Sequence, residues 1–136
     1  LAMAHIPGNS KTISVDKIQS IVYYLRSLGK KVVYFAGPDE KINLKEAIVF
    51  KVDYFTAVKG ILSCEALVAV DSGLNWVASA YGHPTIGLFG YTYYPYCQTS
   101  KNWQPINKNA IYLEAPKAQD VPIDEIQKAI YSLINK

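Results

Sequence analysis

The chain has 136 residues, of which 50% are hydrophobic and 18% are charged. This composition fits one compact domain and excludes both a disordered tail and a multidomain enzyme. A domain of this length buries about two thirds of the surface that its unfolded chain exposes, so it needs neither a metal ion nor a disulfide for stability. The formal net charge is +3, but the basic residues are scattered singly and nearly all are lysine. Nucleic acid is therefore disfavoured as a partner.

No apolar run approaches the roughly 18 residues needed to cross a bilayer, and the first residues lack the basic flank of a signal peptide. We therefore expect no membrane-spanning segment. The sequence starts without methionine, as a segment cut from a longer protein would. The two cysteines, Cys64 and Cys97, belong to no paired ligand motif, so neither a zinc site nor a disulfide is expected and a reducing compartment is favoured.

Short β-like runs alternate with helical runs along the chain, a pattern typical of βαβ units around a parallel sheet. Several of the β-like runs are apolar on successive residues, as expected of strands covered on both faces. The predicted strands are Met3–Ile6, Val32–Ala36, Ile48–Val52, Ala66–Val70, Thr85–Phe89 and Ala110–Leu113. The predicted fold class is α/β, with a Rossmann-like parallel sheet flanked by helices.

The first helix is predicted over Val15–Leu28, where apolar residues recur with helical spacing. Ser14 precedes it as a candidate N-cap, and Gly29 follows it as a candidate stop. Asn43–Ala47 is at most a short helix. The other predicted helices run from about Asp53 to Ser63, from about Leu74 to Tyr81 and from Ile123 to Ile134.

The strongest functional signal is the Asp71-Ser72-Gly73 turn, which joins a buried strand to a helix. Free backbone N–H groups and the positive end of the helix dipole would face whatever lies beyond the strand end, as in an anion site. Gly73 lets a ligand approach the backbone closely, and the Ser72 hydroxyl can donate to a phosphate oxygen. The alternative is that Asp71 and Ser72 only cap the helix.

Three further polar turns follow predicted strands, and they contain Gly8 and Lys11, then Glu40, then Gly90 and Thr92. The carboxyl ends of parallel strands open on one side of a sheet, where ligands bind. A carboxylate such as Glu40 can accept hydrogen bonds from two ribose hydroxyls. The alternatives are a solvated Lys11 and a Glu40 in the first turn of a helix. Together the turns outline a cleft for a nucleoside diphosphate, without the glycine pattern of a dinucleotide or Walker site.

The longest irregular stretch, Gly90–Asn109, is predicted to be a functional loop or lid. Its tyrosines and Trp103 can stack on a base or a sugar, or pack on one another. The two histidines, His5 and His83, lack acidic or cysteine partners at ligand spacing. A structural or solvated role is therefore favoured for both, and no metal is expected.

The run Asp71–Gly90 resembles the signature of glycosyltransferase family 9, the ADP-heptose:lipopolysaccharide heptosyltransferases. That signature has Asp-Ser/Thr-Gly, two residues, His-Leu, a helix of small residues, Gly-x-Pro-Thr and a strand that ends in Phe-Gly. Upstream, the turn at Gly8, Lys11 and the turn ending at Glu40 look like further family motifs. The sequence departs from the pattern at Trp76, where the family has histidine.

Two other departures accompany the histidine change. Ile13-Ser14 replaces the family's Trp-Pro after the lysine, and Tyr91 replaces its proline after Phe-Gly. Because the histidine is missing, the resemblance leaves the donor sugar open, with heptose as the family expectation.

The resemblance implies a role for each matching residue. Ser72 and Gly73 would meet the donor diphosphate, and Lys11 would neutralise its charge. Glu40 would hold the ribose, and Asp71 would orient the donor sugar or the loop. The reaction would be inverting and would need neither a metal nor another cofactor.

The resemblance covers only the C-terminal half of a GT-B glycosyltransferase, so residues 1–136 are expected to be its nucleotide-sugar donor domain. An N-terminal domain absent from this chain would carry the catalytic base and hold the acceptor, a lipopolysaccharide-type or other glycan, or another lipid-linked acceptor. The nucleoside diphosphate sugar is expected to be ADP-linked. The family also implies a cytoplasmic location, with the inner membrane surface as an alternative, and an isolated donor half that is inactive.

Two other functions compete with the transferase. One is a non-catalytic α/β module that binds a nucleotide or a sugar phosphate, which the loss of the histidine would fit. The other is a flavodoxin- or receiver-like domain that works through protein contacts. A receiver needs an acidic cluster at the end of its first strand, and Leu1–Ser10 contains no acid.

Overall fold

The computed structural model describes residues 11–93 and 99–136. The predicted strand Met3–Ile6, together with Gly8 and Cys97, lies outside the described residues. Within them, none of the helices is long and apolar enough to cross a membrane. The helices and strands in chain order are α1 Val15–Ser27, β1 Val33–Ala36, β2 Ile48–Lys51, α2 Tyr54–Leu62, β3 Leu67–Val70, α3 Gly73–Ala80, β4 Thr85–Gly90, β5 Ala110–Ala115 and α4 Ile123–Ile134. Short 3-10 helices cover Tyr91–Tyr93 and Ala118–Asp120.

Every strand pairing among the described residues is parallel. β1 pairs with β2, with Val33 opposite Ile48. β4 lies between β3 and β5, and its Thr85 is opposite Leu67 on one side and Ala110 on the other. The predicted α/β class with parallel strands is confirmed. Among the described residues the strands form two groups, β1–β2 and β3–β4–β5, and within each group the carboxyl ends share one edge.

The strands carry a core on each face, and neighbouring residues along a strand enter different cores. Tyr34 of β1 and Val70 of β3 pack with α1 and α4. Phe35 and Ala69 pack with α2 and α3. The successive apolar residues of β1 and β3 are thus explained by helices on both faces.

β2 is the exception, because it pairs with β1 alone among the described strands. Its Ile48 and Phe50 are half exposed. The preceding stretch, Asn43–Ala47, forms no helix, and Glu46 within it adopts a left-handed backbone with φ of 60°. The core of the domain therefore lies around β1, β3 and β4.

Polar side chains cap the starts of α1 and α2, and Ser14 is the cap that the sequence predicts for α1. Ser14 accepts a hydrogen bond from the Lys17 amide (3.2 Å), and Asp53 accepts one from the Thr56 amide (3.0 Å). Each bond satisfies a backbone donor that the first turn leaves free. Gly29, with φ of 76°, follows α1 in the left-handed conformation that ends many helices.

Gly87, in the middle of β4, has no room for a side chain. A Cβ atom there would lie 2.6 Å from Cδ1 of Tyr112 and 3.0 Å from Nδ2 of Asn75. We expect Gly87→Ala to destabilise the fold by about 1–3 kcal/mol, because the half-buried Tyr112 and the buried Asn75, on two different elements, must shift. Thermal or urea unfolding measures the loss. In the matched control, Gly37→Ala, the new methyl meets no atom within 4 Å, and equal losses in both variants would contradict this account.

Candidate functional site

Three of the predicted site residues lie at the ends of strands. Glu40 follows β1, Asp71 follows β3, and Gly90 is the last residue of β4. Lys11 belongs to the segment before α1, yet its ammonium lies 3.2 Å from the Asp71 carboxylate. The fold therefore places the predicted lysine and the Asp-Ser-Gly turn at one point on the carboxyl edge of the sheet.

Asp71 is a buried carboxylate with partners on both oxygens. Its side chain is 6% exposed, and Oδ2 faces the ammonium of Lys11. Oδ1 accepts a hydrogen bond from the indole N–H of Trp76 (3.3 Å). The Asp71 amide donates to the Leu88 carbonyl on β4 (3.2 Å). A buried charge is tolerated when it is paired and hydrogen-bonded, and these contacts hold Asp71 in one orientation.

Ser72 caps α3, because its hydroxyl oxygen accepts a hydrogen bond from the Asn75 amide (3.4 Å). Ser72 is thus a cap, whereas the Asp71 carboxylate contacts Lys11 and Trp76 instead, and the Ser72 hydroxyl proton keeps its capacity to donate to a ligand. Gly73 is exposed at the first position of α3. The Tyr54 hydroxyl would lie 3.4 Å from a Cβ atom on Gly73, so a hydroxyl group stands beside the helix start.

Glu40 closes the turn after β1 with both of its carboxylate oxygens. Oε1 accepts from the hydroxyl of the buried Tyr34 (2.6 Å), and Oε2 accepts from the Gly37 amide (3.1 Å). Burial, followed by the bond to Glu40, raises the pKa of Tyr34 far above its usual range. No helix begins here, so the alternative of a first-turn helix acid is wrong.

A cleft of about 820 Å³ opens beside this turn. One wall comes from Ile13, just before α1, and from Ile18 in its first turns. The opposite wall comes from Pro38, Glu40 and Ile42. Small-molecule sites span roughly 300–1,000 Å³ and are mainly apolar with a few placed polar groups, which is the make-up of this cleft.

The end of β4 is occupied by contacts within the chain. The Thr92 amide donates to the Pro116 carbonyl (3.0 Å), and the Thr92 hydroxyl donates to the same oxygen. Thr92 thereby ties the segment after β4 to the segment after β5. Gly90 is buried at the strand end, and the amide and hydroxyl of Thr92 already donate within the chain. Gly90 and Thr92 therefore belong to the carboxyl edge without offering hydrogen-bond donors to a ligand.

Part of the predicted loop Gly90–Asn109 is fastened to β5 through Glu114. This carboxylate accepts from the Ser100 amide (2.6 Å), the Ser100 hydroxyl (2.5 Å) and the Thr99 hydroxyl (3.0 Å). Burial works to raise the pKa of Glu114, but the hydrogen bonds from Ser100 and Thr99 outweigh it and hold the pKa below its ordinary value. The segment after Thr99 is therefore anchored to the sheet.

This anchor predicts a pH-dependent contribution to stability. The folded-state pKa of Glu114 is lowered, so its ionised form stabilises the fold. This stabilisation is complete above the unfolded-state pKa and is lost as the pH falls through the folded-state pKa. We expect wild type to exceed Glu114→Gln in thermal stability at pH 6, with the gap closing towards pH 3. Melts across this range test it. Glu46→Gln, at an exposed turn, is the control, and a pH-independent gap for Glu114→Gln would contradict the prediction.

His83 is buried in the turn before β4, and burial lowers its pKa. Its Nε2 atom has no hydrogen-bond partner among the described residues. Its carbonyl accepts from the Thr85 hydroxyl (2.8 Å) and the Asn107 amide group (2.9 Å), so its backbone joins the turn to the segment before β5. In the described part of the chain no three potential metal ligands come together.

Sequence reasoning missed three contributors to this edge. Tyr54 follows the N-cap of α2 directly after β2, and that position signals the carboxyl edge. Trp76 stands out in the sequence only as a departure from the family pattern, with no signal for its bond to Asp71. Tyr34 reads as an ordinary core residue, because nothing in the sequence pairs its hydroxyl with Glu40.

Comparisons with known proteins bear on the family and the fold of the chain. Residues 29–130 match the sequence model of glycosyltransferase family 9 (heptosyltransferase). No curated protein sequence matches the chain significantly.

Three solved structures share the fold. Escherichia coli ADP-heptose lps heptosyltransferase II superposes with a TM-score of 0.78 at 17% identity, over 98% of this chain and 45% of that one. A family 9 glycosyl transferase from Veillonella parvula gives 0.75 at 18% identity, over 98% and 45%. Escherichia coli heptosyltransferase WaaC with ADP gives 0.76 at 16% identity, over 97% and 43%. The chain thus spans less than half the length of these structures.

Proposed function

Because the chain belongs to glycosyltransferase family 9 (heptosyltransferase), we propose that it is the donor-binding part of a glycosyltransferase. In this function it holds a nucleoside diphosphate sugar while the sugar passes to a glycan. One observation supports the proposal above the others. The Lys11–Asp71 ion pair (3.2 Å) stands at the start of α3, so a cation lies beside a helix N-terminus that favours an anion.

The diphosphate would bind at the Ser72-Gly73 turn. Backbone N–H groups at the start of α3 and the positive end of its dipole favour an anion there. Lys11 adds a full positive charge next to the turn, and Asp71 keeps that charge in place. Stabilisation of the charge that develops on a leaving diphosphate is worth a few kcal/mol for each well-placed donor, roughly 2.7–4 kcal/mol. This would be the contribution of the chain to catalysis.

The nucleoside would occupy the cleft beside Glu40. Its carboxylate keeps lone pairs for ribose hydroxyls, although Tyr34 and Gly37 already donate to it. The apolar side chains of Ile13, Pro38 and Ile42 offer faces to a base. Since one similar structure is that of a heptosyltransferase with ADP, an ADP-linked donor is the first to test, with heptose as the sugar. No cofactor enters this proposal.

The acceptor would be a lipopolysaccharide-type or other lipid-linked glycan held by a second, N-terminal domain. The similar structures are more than twice as long as the aligned chain, which leaves room for such a domain in a complete enzyme. The catalytic base would belong to that domain. A lipid-linked acceptor would bring the reaction to a membrane surface, and the family resemblance implies the cytoplasmic side of the inner membrane.

Titration of the ¹⁵N-labelled chain with ADP, UDP and GDP tests the proposal. We expect micromolar to millimolar affinity for ADP. One domain alone must offset the entropy lost when nucleotide and site become ordered, without the contacts that a closed two-domain cleft would add. The shifted amides should include Lys11, Glu40 and the Asp71–Asn75 segment. Shifts confined to other regions, or no shift with any of the nucleotides, would reject the site.

A further inference from the structure

The buried Asp71 carboxylate connects two residues that are far apart in the sequence. Lys11 approaches one of its oxygens (3.2 Å), and the indole N–H of Trp76 donates to the other (3.3 Å). With a donor on each oxygen, the carboxylate cannot turn about its Cβ–Cγ bond without losing a contact. The orientation of Asp71, and with it the place of the Lys11 ammonium, therefore depends on Trp76.

The position of Trp76 on α3 makes this contact stable. Its amide donates to the Ser72 carbonyl (3.1 Å), which is a regular bond of the first helical turn. The indole N–H is a donor only, and a carboxylate oxygen of Asp71 accepts its hydrogen bond. Trp76 is nevertheless 45% exposed, so packing in the core does not account for the position of its side chain.

We propose that Trp76 is a positioning residue for the donor site, acting through Asp71 on Lys11. It holds the carboxylate so that the lysine ammonium stays beside the Ser72-Gly73 turn and is ready to meet a diphosphate. The inference rests on the proposed function, since the diphosphate is its ligand. Trp76 itself need not touch that ligand.

A double-mutant cycle with ADP as the probe separates positioning from direct contact. We expect Trp76→Phe, which keeps an aromatic ring and removes the N–H donor, to weaken ADP binding about tenfold in calorimetric titrations. If Trp76 acts through Lys11, Lys11→Met and the Lys11→Met/Trp76→Phe double variant should bind ADP equally weakly, because contacts in one network are not additive. Losses that multiply in the double variant would overturn the proposal.

Tyr131→Phe on α4 is the matched control, because Tyr131 is an exposed aromatic residue outside the site. It should leave ADP affinity unchanged and show no coupling to Lys11→Met. Trp76→His tests rescue, since its imidazole N–H can again donate to Asp71. It should recover binding relative to Trp76→Phe.

The positioning also has a readout that needs neither a ligand nor the Trp76 variants. The chain contains two tryptophans, so it gives two indole ¹⁵N–¹H signals, and Trp103→Phe assigns them. The Trp76 signal should move in Lys11→Met, because the carboxylate to which it donates loses its other partner. An unmoved signal would refute the coupling. If wild type bound none of the nucleotides, the proposed function would fail, while this signal would still decide the positioning claim.

Discussion

Gly73→Val should weaken ADP binding by at least about tenfold, the scale of one lost hydrogen bond to a charged group, and should leave the melting temperature nearly unchanged. Gly73 is exposed at the start of α3, so the new side chain does not contact the core. A β-branched side chain there lies against the Tyr54 hydroxyl, which is 3.4 Å from the Cβ position. It also covers the backbone N–H groups that would face a phosphate. Titration and thermal melts on the same preparation measure both effects.

Two control variants sharpen this test. Gly73→Ala adds one methyl group at ordinary contact distance from Tyr54 and should give an intermediate affinity. Ala80→Val places the same valine at the exposed far end of α3 and should change neither affinity nor stability. If Gly73→Val bound ADP as wild type does, the Asp71-Ser72-Gly73 turn would be a helix cap and nothing more.

The elements were predictable because local patterns determine them. The apolar spacing of α1 and its Ser14 cap lie within one stretch of sequence, and α4 has the predicted bounds Ile123–Ile134. The buried strands β1 and β3 carry side chains into a core on each face, which continuous apolar runs indicate. The location of the site follows from the same logic, since parallel strands bring their end turns to one edge.

The contacts that fix the site were not predictable, because they join distant parts of the chain. No local pattern pairs Lys11 with Asp71. Likewise, Ser14 receives a hydrogen bond from the side chain of Gln119 (3.2 Å), which lies 105 positions away. Such pairs depend on how the helices pack on the sheet. A sequence gives the residue types available at an edge, while packing decides which of them meet.

If the donor and the acceptor bind to two different domains, as proposed, this chain alone should transfer no sugar from any nucleoside diphosphate donor. Holding donor and acceptor in one geometry supplies much of an enzyme's rate, and the proposed acceptor contacts belong to another domain. A general base must also lie within hydrogen-bond reach of the acceptor hydroxyl. At the described edge, Asp71 is engaged by Lys11 and Trp76, and Glu40 is engaged by Tyr34 and Gly37. Neither carboxylate is placed as a free base.

Transfer of radiolabelled heptose from its ADP-linked donor to a lipopolysaccharide acceptor measures this. The chain should be inactive by itself, and activity should appear when a separately expressed N-terminal domain is added. Restored transfer would also dismiss the alternative of a non-catalytic binding module, whereas ADP binding without transfer in the reassembled protein would favour it.

The Asp71→Asn variant tests whether Asp71 positions Lys11 or acts as the catalytic base. If Asp71 positions Lys11, this variant should weaken ADP binding and transfer together, because the ammonium loses its charged partner. Turnover by the chain alone that Asp71→Asn abolished, with ADP affinity intact, would instead make Asp71 the catalytic base and end the two-domain account.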